Sequence, residues 1–280
     1  MAEKKKIAAI AAAVVVCAGI TAFPVIFNLK QSRPSADTIQ AQEQVDEFKD
    51  NIVVGEYLPS SAGMVVNSTA EEEPEIVLPL DADSISELPK NAVGYLYLDE
   101  ILSAPLMQGT DNSYYLHHNA FGAVSDAGSF MLDKNATSED AEQIVYVHTM
   151  RYAGNDNCKM FQYFKEQYQN CEGPNDMGTL SVEDLPNLYI YKEGIVEVYA
   201  PLVCYNELKS NKSEGYWKAN KTEAEAEAIY TSKAEEQGIE LNLEADGDRY
   251  ITFSTCDRVF SRSEGRRMYV YHMVASVEAE

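Results

Sequence analysis

One cysteine, Cys256, ends a stretch of alternating polar and apolar residues, RYITFSTC, at 249–256. Because successive side chains of a strand point to opposite faces, Cys256 shares a face with Ser254 and not with Ile251 and Phe253. A single cysteine in a folded domain is more often a small buried hydrophobe than a reactive group. A nucleophilic thiol instead needs access to substrate and a partner that lowers its pKa. The polar face of Cys256 favours this second interpretation.

Two other stretches offer groups that assist a reactive thiol. His148 ends the apolar stretch IVYVHTM on the same face as Tyr146, and Arg266 and Arg267 open the stretch GRRMYVYHMV. A histidine can transfer protons at a thiol and a leaving group, and an arginine can stabilise the oxyanion of acyl transfer. If these strand ends meet at one edge of a barrel, the sequence predicts a Cys–His–Arg site for acyl transfer.

The elements that must position this site are mainly strands. Seven short stretches rich in β-branched and aromatic residues end at turn residues, which is typical of strands. They are AVGYLYL, GSFMLD, EQIVYVH, LYIYKEG, VEVYAPLVCY, RYITFSTC and RMYVYHMV. Their number and spacing predict a mostly β domain, a closed or nearly closed barrel of about eight strands.

Three helices are predicted beside the strands. The first is an N-terminal helix in PSADTIQAQEQVDEFKDNIV, and the second is KMFQYFKEQYQ. The third precedes the cysteine strand: Thr222 caps it, Glu225 completes a capping box, and Gly238 ends it.

The N-terminus predicts a membrane anchor. Residues 7–27 are apolar and uncharged, long enough to cross a bilayer core of about 30 Å as a helix, and three lysines precede them. The predicted organisation is a cytoplasmic tail at 1–6, a transmembrane signal anchor at 7–27, a helix and acidic linker at 28–88, and a folded domain at 89–280. This is a single-pass type II arrangement in the cell membrane with the domain outside the cell. A cleaved signal peptide is the alternative.

Composition excludes several classes of function. A net charge of −23 and a pI near 4.5 argue against a nucleic-acid partner, which requires clustered Lys and Arg. The sequence contains no CxxC pair, and the adjacent His117 and His118 have no Cys or carboxylate at ligand spacing. Neither a metal nor another cofactor is therefore expected. A disulfide between Cys158 and Cys171 stays open.

Taken together, these motifs resemble the sortases, and within them class B. STC at 254–256 is similar to the family's [TS]-x-[TS]-C strand end, and YVHTM at 146–150 is similar to its Y-G-H-N-M motif. GRRMYVYHMV resembles its arginine strand. VGYLYL, QGTDNSYYLHHNAFG and AGSFMLD are similar to the class B segments before the histidine. The likeness runs from about Ala92 to the C-terminus.

The resemblance implies specific roles. Cys256 would be the nucleophile, His148 the general acid and base, and one of the two arginines the clamp for oxyanion and substrate. The segment before the cysteine strand matches a helical insertion that shapes the substrate groove. The resemblance also implies that this groove is lined by Asn112, Leu116, Tyr146, Tyr216, Trp217, Ser254, Asp257 and Arg266.

Strand alternation favours Arg267 as the catalytic arginine. Arg266 shares a face with Met268 and Val270, an aliphatic set predicted to face the barrel core. Arg267 then lies with Tyr269 on the outward face that lines the groove. The spacing from the cysteine in some class B members fits Arg266 instead.

The expected activity is that of a membrane-anchored cysteine transpeptidase on a Gram-positive cell. It would cut a C-terminal sorting signal, NPxTN-like or PxTG-like, after Thr, hold the acyl group as a thioester, and pass it to a peptidoglycan cross-bridge amine. Val147 and Thr149 depart from the family's usual glycine and asparagine. Two alternatives therefore stay open: a catalytically silent surface-binding domain, and a pilin-linking sortase whose acceptor is a protein lysine.

Overall fold

The structure is a computed structural model that describes residues 35–54, 78–85, 87–99, 101–148, 186–208, 221–236, 238, 241, 243, 249–256 and 265–279. The predicted anchor at 7–27 and the helix predicted in KMFQYFKEQYQ lie outside these residues. So do three predicted groove residues, Tyr216, Trp217 and Asp257. No helix within the described ranges is long and apolar enough to cross a membrane.

Eight strands form a closed barrel. They are β1 (Ala92–Leu98), β2 (Leu102–Gln108), β3 (Phe130–Leu132), β4 (Glu142–Tyr146), β5 (Leu188–Lys192), β6 (Ile195–Leu208), β7 (Tyr250–Cys256) and β8 (Gly265–Glu278). Around the barrel their order is β1-β2-β3-β4-β7-β8-β6-β5. The pairs β2–β3 and β4–β7 are parallel, and the other neighbouring pairs are antiparallel. The predicted mostly β barrel is confirmed.

Strand β2 is the one barrel strand that the sequence patterns do not predict. Pro105 lies within it, and proline has no N–H to donate to a ladder, which argues against an interior strand. In the structure Pro105 pairs with Tyr95 of β1. The alternating residues Leu102, Ala104 and Leu106 are buried in the barrel interior. Their burial outweighs the unfavourable proline.

The barrel interior is filled by alternate side chains from all eight strands. On β8 these include Tyr269 and Tyr271, whereas Met268 and Val270 face outward into a second buried cluster. The prediction that Met268 and Val270 face the barrel core is therefore wrong. The physical reason is that β8 is buried on both faces, so aliphatic character does not tell the inner face from the outer one.

Two helices cover the outside of the barrel. Helix α1 (Ala36–Lys49) begins at Ser35, whose Oγ accepts from the Thr38 backbone N–H at 3.1 Å. Helix α2 (Glu223–Glu235) has the predicted capping box between Thr222 and Glu225, and it packs over the outer cluster of β8. Gly238, predicted to end this helix, has φ +72°. Glycine adopts this left-handed conformation without the steric cost of a Cβ atom, which is why it often ends helices.

The described part of the predicted acidic linker is packed on the barrel. Leu80 and Ile85 are buried, and the Leu80 backbone N–H donates to the Tyr191 hydroxyl at 2.9 Å. Phe48 and Ile52, from the end of α1 and just beyond it, join the same cluster. The segments before β1 therefore close one outer face of the barrel.

Candidate active site

The register between β7 and β8 brings the cysteine strand end beside an arginine. Cys256 pairs directly with Arg266, and Thr255 pairs with Arg267. Directly paired residues of antiparallel strands share a face, with Cβ atoms about 4.5–5.5 Å apart. Arg267 therefore shares the face of buried Thr255 and not the outward face predicted for it, and the register puts Arg266 beside Cys256. Which of the two arginines is catalytic stays a prediction.

The register between β4 and β7 brings the histidine to the same edge. Tyr146 pairs with Ser254 in a parallel ladder, and the Val147 N–H donates to the Ser254 carbonyl at 3.1 Å. His148 follows two residues after Tyr146, past the end of β4, and Cys256 follows two residues after Ser254 on β7, so both lie beyond the last pair of this ladder, at the same edge. Neighbouring strands lie about 4.8 Å apart. Three strand ends that are distant in sequence thus meet at one edge of the barrel.

His148 is half-buried and has a defined partner. Its Nε2 lies 2.8 Å from the Leu116 carbonyl oxygen. A carbonyl can only accept, so Nε2 carries a proton, and in the neutral ring Nδ1 is then the acceptor. Burial lowers the pKa of His148, and the nearby charges of His117 and Arg266 lower it further. The bond to Leu116 and the charge of Asp126 partly oppose this shift, and the neutral imidazole is favoured.

Arg266 is electrostatically coupled to His148, since its positive charge lowers the pKa of that residue. It is half-buried, and its Nη1 donates to the Gly265 carbonyl at 2.9 Å. The ladder and the electrostatics thus both associate Arg266 with the histidine and cysteine strand ends.

A buried carboxylate joins two of the predicted groove residues. Asp133 is 3 % exposed, and its Oδ2 accepts from Asn112 Nδ2 at 2.7 Å and from the Tyr146 hydroxyl at 2.9 Å. Burial, and secondly the charge of Asp133, raises the pKa of Tyr146 well above its usual value. The sequence patterns missed Asp133. The available signal was its position directly after the apolar strand in AGSFMLD.

The other described groove residues lie next to the histidine. Leu116 contributes the carbonyl bonded to His148, and its side chain and that of Tyr146 pack on one buried cluster. Ser254 is buried, and its Oγ has no hydrogen-bond partner among the described residues. The structure thus assembles Asn112, Leu116, Tyr146 and Ser254 around the histidine strand end.

Comparisons with known proteins agree with the resemblance seen in the sequence. No family model matches the chain. Over 187 residues the chain is 29% identical to Sortase B of Listeria monocytogenes serovar 1/2a, a match that covers 65% of this chain and 69% of the relative. This similarity supports a class B sortase.

Solved structures agree with this assignment at the level of the fold. A mutant form of Clostridium perfringens sortase B has a TM-score of 0.53 and 24% identity, covering 70% of this chain and 88% of that one. The Staphylococcus aureus sortase B–substrate complex has a TM-score of 0.51 and 17% identity, covering 69% and 83%. Together with the curated relative, the shared barrel supports a sortase-type cysteine transpeptidase.

Val147, which stands where the sequence resemblance predicts a glycine, does not line the candidate site. Its side chain is 5 % exposed and belongs to the core inside the barrel, on the face opposite Tyr146. Its branched side chain is therefore accommodated by the core. Thr149, the second departure, lies outside the described residues.

A cleft of about 690 Å³ lies on another side of the segment that carries Leu116. The cleft is lined by Pro89, Lys90, Asn91, Gln108, Gly109, Thr110, Asp111, Tyr114, Tyr115, Ala120, Phe121, Gly122 and Lys134. Neither His148 nor Arg266 is part of this lining.

Proposed function

We propose that this sortase is a membrane-anchored transpeptidase on the outer face of a Gram-positive cell. It cleaves the C-terminal sorting signal of a secreted surface protein after Thr and joins the new carboxyl end to a cell-wall amine. The observation that supports the proposal is the ladder register: Cys256 pairs with Arg266, and the β4–β7 ladder ends at Tyr146 and Ser254, two residues before His148 and Cys256. The anchor at 7–27 rests on the sequence alone.

In the first half-reaction, the Cys256 thiol transfers its proton to His148 and the sulfur attacks the carbonyl carbon of the substrate Thr. The Arg266 guanidinium stabilises the oxyanion that forms. The C–N bond of the scissile peptide then breaks, and His148 gives its proton to the leaving nitrogen. A thioester on Cys256 remains.

In the second half-reaction, the acceptor amine attacks the thioester carbonyl. His148 takes the proton from the attacking nitrogen, the C–S bond breaks, and the released thiolate recovers that proton. Because Nε2 of His148 is engaged by the Leu116 carbonyl at 2.8 Å, Nδ1 is the nitrogen that transfers protons. The lowered pKa of His148 keeps the ring neutral before it accepts the thiol proton.

The substrates are proposed by analogy with structures that share the fold. Staphylococcus aureus sortase B has been solved as a substrate complex, and another sortase B structure holds a triglycine peptide. These support a peptide donor and an amine acceptor. For the donor we propose an NPxTN-like or PxTG-like sorting signal, and for the acceptor a peptidoglycan cross-bridge amine. No cofactor takes part in the proposed steps.

The test is turnover of the full chain, in mild detergent, with a panel of quenched sorting-signal peptides and three acceptors: water, triglycine and a lysine-bearing protein. The proposal predicts cleavage after Thr and a product joined to triglycine, both absent in Cys256→Ala. Joining only to the protein lysine would indicate a pilin-linking sortase. Binding of the peptides without cleavage would indicate a catalytically silent surface domain.

A further inference from the structure

We propose that Asp133 is a positioning residue: it holds the segment 109–117 against β4 and so fixes the Leu116 carbonyl that orients His148. This inference rests on the proposed role of His148 in proton transfer. Asp133 itself touches neither substrate nor the reacting atoms in this account.

One carboxylate oxygen bridges the two elements. Asp133 Oδ2 accepts from Asn112, on the segment 109–117, and from the hydroxyl of Tyr146, on β4. The backbone N–H of Asp133 also donates to the Ile144 carbonyl of β4 at 2.8 Å. Asp133 is therefore fixed to β4 by its main chain while its side chain holds the segment.

The amide of Asn112 is used on both sides. Its Nδ2 donates to Asp133, and its Oδ1 accepts from the Lys134 backbone N–H at 2.7 Å. Gln108, just before the segment, donates to the Asp133 and Ala136 carbonyls at 2.9 and 2.8 Å. Asn112 thus links the segment 109–117 to the residues that follow β3. This is a structural role in addition to the groove contact that the family resemblance implies.

The segment between Asn112 and Leu116 is short and internally bonded. Asp111 Oδ1 accepts from the Ser113 and Tyr114 backbone N–H groups, each at 2.7 Å, and the Leu116 N–H donates to the Ser113 carbonyl at 3.0 Å. Because these bonds hold the segment together, we expect a displacement of Asn112 to move the Leu116 carbonyl as well.

The described donors to the Asp133 carboxylate are all neutral: an amide, a backbone N–H and a hydroxyl. Within the described residues no Lys or Arg forms an ion pair with this carboxylate, which is 3 % exposed. A carboxylate accepts on both oxygens, whereas an asparagine at this position places an NH₂ group against at least one donor. Asp133→Asn keeps the size of the side chain but leaves at least one of the donors, from Asn112, Tyr146 or Asn135, without an acceptor oxygen.

The chain allows a matched set of variants. Asp133→Asn replaces one of the two acceptor oxygens with an NH₂ group. The exchange Asp133→Asn with Asn112→Asp restores a donor–acceptor pair, because the new carboxylate accepts from the new amide and from the Lys134 N–H. Asp140→Asn is the control: Asp140 lies in the same β3–β4 connection but accepts from Thr137 and does not touch the segment 109–117.

Two readouts on the full chain test the proposal. The first is NMR of isotope-labelled histidine, with the signals of His148 assigned by its substitution among the four histidines of the sequence. The second is the separation of kcat from KM with a sorting peptide. We expect Asp133→Asn to shift the His148 ring signals and lower kcat on the order of tenfold, with KM changed less than about twofold. The exchange variant should recover both, and Asp140→Asn should change neither.

The proposal is overturned if Asp133→Asn leaves the His148 signals and kcat at wild-type values, or if the folded exchange variant fails to recover them. Should Asp133→Asn not fold, the exchange variant alone decides by the same criteria. The NMR result does not depend on turnover. If no peptide is cleaved but the His148 signals respond as expected, the proposed function fails and the positioning role stands.

Discussion

The two ends of β4 are held by buried carboxylates in different surroundings. At its start, the side chain of Glu142 is 2 % exposed and forms an ion pair with Lys221, and Glu142 also accepts from the hydroxyls of Tyr230 and Thr252. At its end, Tyr146 is bonded to a carboxylate whose described hydrogen-bond donors are neutral. Among the described residues, a lysine neutralises the Glu142 cluster, whereas no cation pairs with the Asp133 carboxylate.

This difference separates a structural cluster from a site cluster. The Glu142 cluster joins α2, through Tyr230, to β4 and β7, and so fixes the inserted helix on the barrel. A buried charge is tolerated there because an opposite charge and two hydroxyls satisfy it. The Asp133 cluster joins the ends of β3 and β4 to the segment beside His148. There, neutral donors are arranged around a charge that orients the histidine.

The largest expected effect tests whether the candidate site catalyses peptide cleavage. Cys256→Ala should lower peptide cleavage by more than about a thousandfold, because it removes the nucleophile. Cys204 is the matched control, since it is a buried thiol in the barrel interior. Cys204→Ala should keep kcat/KM within about twofold while lowering stability by about 1–2 kcal/mol. Equal turnover by the two variants would contradict the assignment.

A second variant makes the structural cluster resemble the site cluster. Lys221→Met leaves the Glu142 carboxylate with neutral donors only among its described partners. Breaking a buried pair on one side costs about 3–5 kcal/mol, so urea denaturation should show a loss of that order. Where the variant is folded, kcat/KM should change less than about threefold. A large loss of activity without loss of stability would erase the distinction between the two clusters.

The two arginines at the start of β8 give a sharper test of the site. Arg266→Lys should lower kcat/KM by about tenfold, because lysine keeps the charge but lacks the planar fork of donors. Arg267→Lys, one residue along and on the other face, should change it little. Steady-state kinetics on both variants decide between them. A larger loss for Arg267→Lys would favour the arginine that strand alternation alone selects.

The smallest effect is electrostatic. His148 has a pKa lowered by burial and, in part, by Arg266, so NMR titration should give a midpoint below the ordinary value of about 6.5. Arg266→Gln should raise this midpoint, and Arg267→Gln should leave it nearly unchanged. An unchanged midpoint in Arg266→Gln would remove the coupling between Arg266 and His148.

The same pKa sets the sign of a pH effect on stability. The folded state binds a proton at His148 less readily than the unfolded chain does. The contribution of His148 to stability is therefore fully present above the unfolded pKa of about 6.5 and is lost as pH falls towards the lower folded pKa. Denaturation curves should show this slope in the wild-type chain and lose it in His148→Gln. The same slope in both would mean that other groups cause it.

Most of the barrel could be predicted from the sequence, because its strands are short, β-branched or aromatic, and bounded by turns. The capping box at Thr222 could also be predicted, because both of its residues lie within four positions of the sequence. Strand β2 was not predicted, since Pro105 argues locally against a strand and only long-range burial decides otherwise. The inner face of β8 could not be chosen either, because both faces are buried.

The residues of the candidate site that lie at strand ends could be predicted from the sequence. Those whose role depends on partners distant in the chain could not. His148 and Cys256 are recognisable because each ends a strand. Asp133 is not, because its partners Asn112 and Tyr146 lie 21 and 13 residues away in the chain. Choosing between the two arginines required the ladder register.

Intact-protein mass spectrometry of the full chain mixed with sorting-signal peptides tests the central claim most directly. We expect the chain to gain the mass of the peptide fragment ending in Thr, less one water, and peptide mapping to locate the acyl group on Cys256. Hydroxylamine should remove this group, because it cleaves thioesters, and Cys256→Ala should acquire none. Cleavage of the peptide with no adduct on Cys256, or an adduct that persists in Cys256→Ala, would contradict the account.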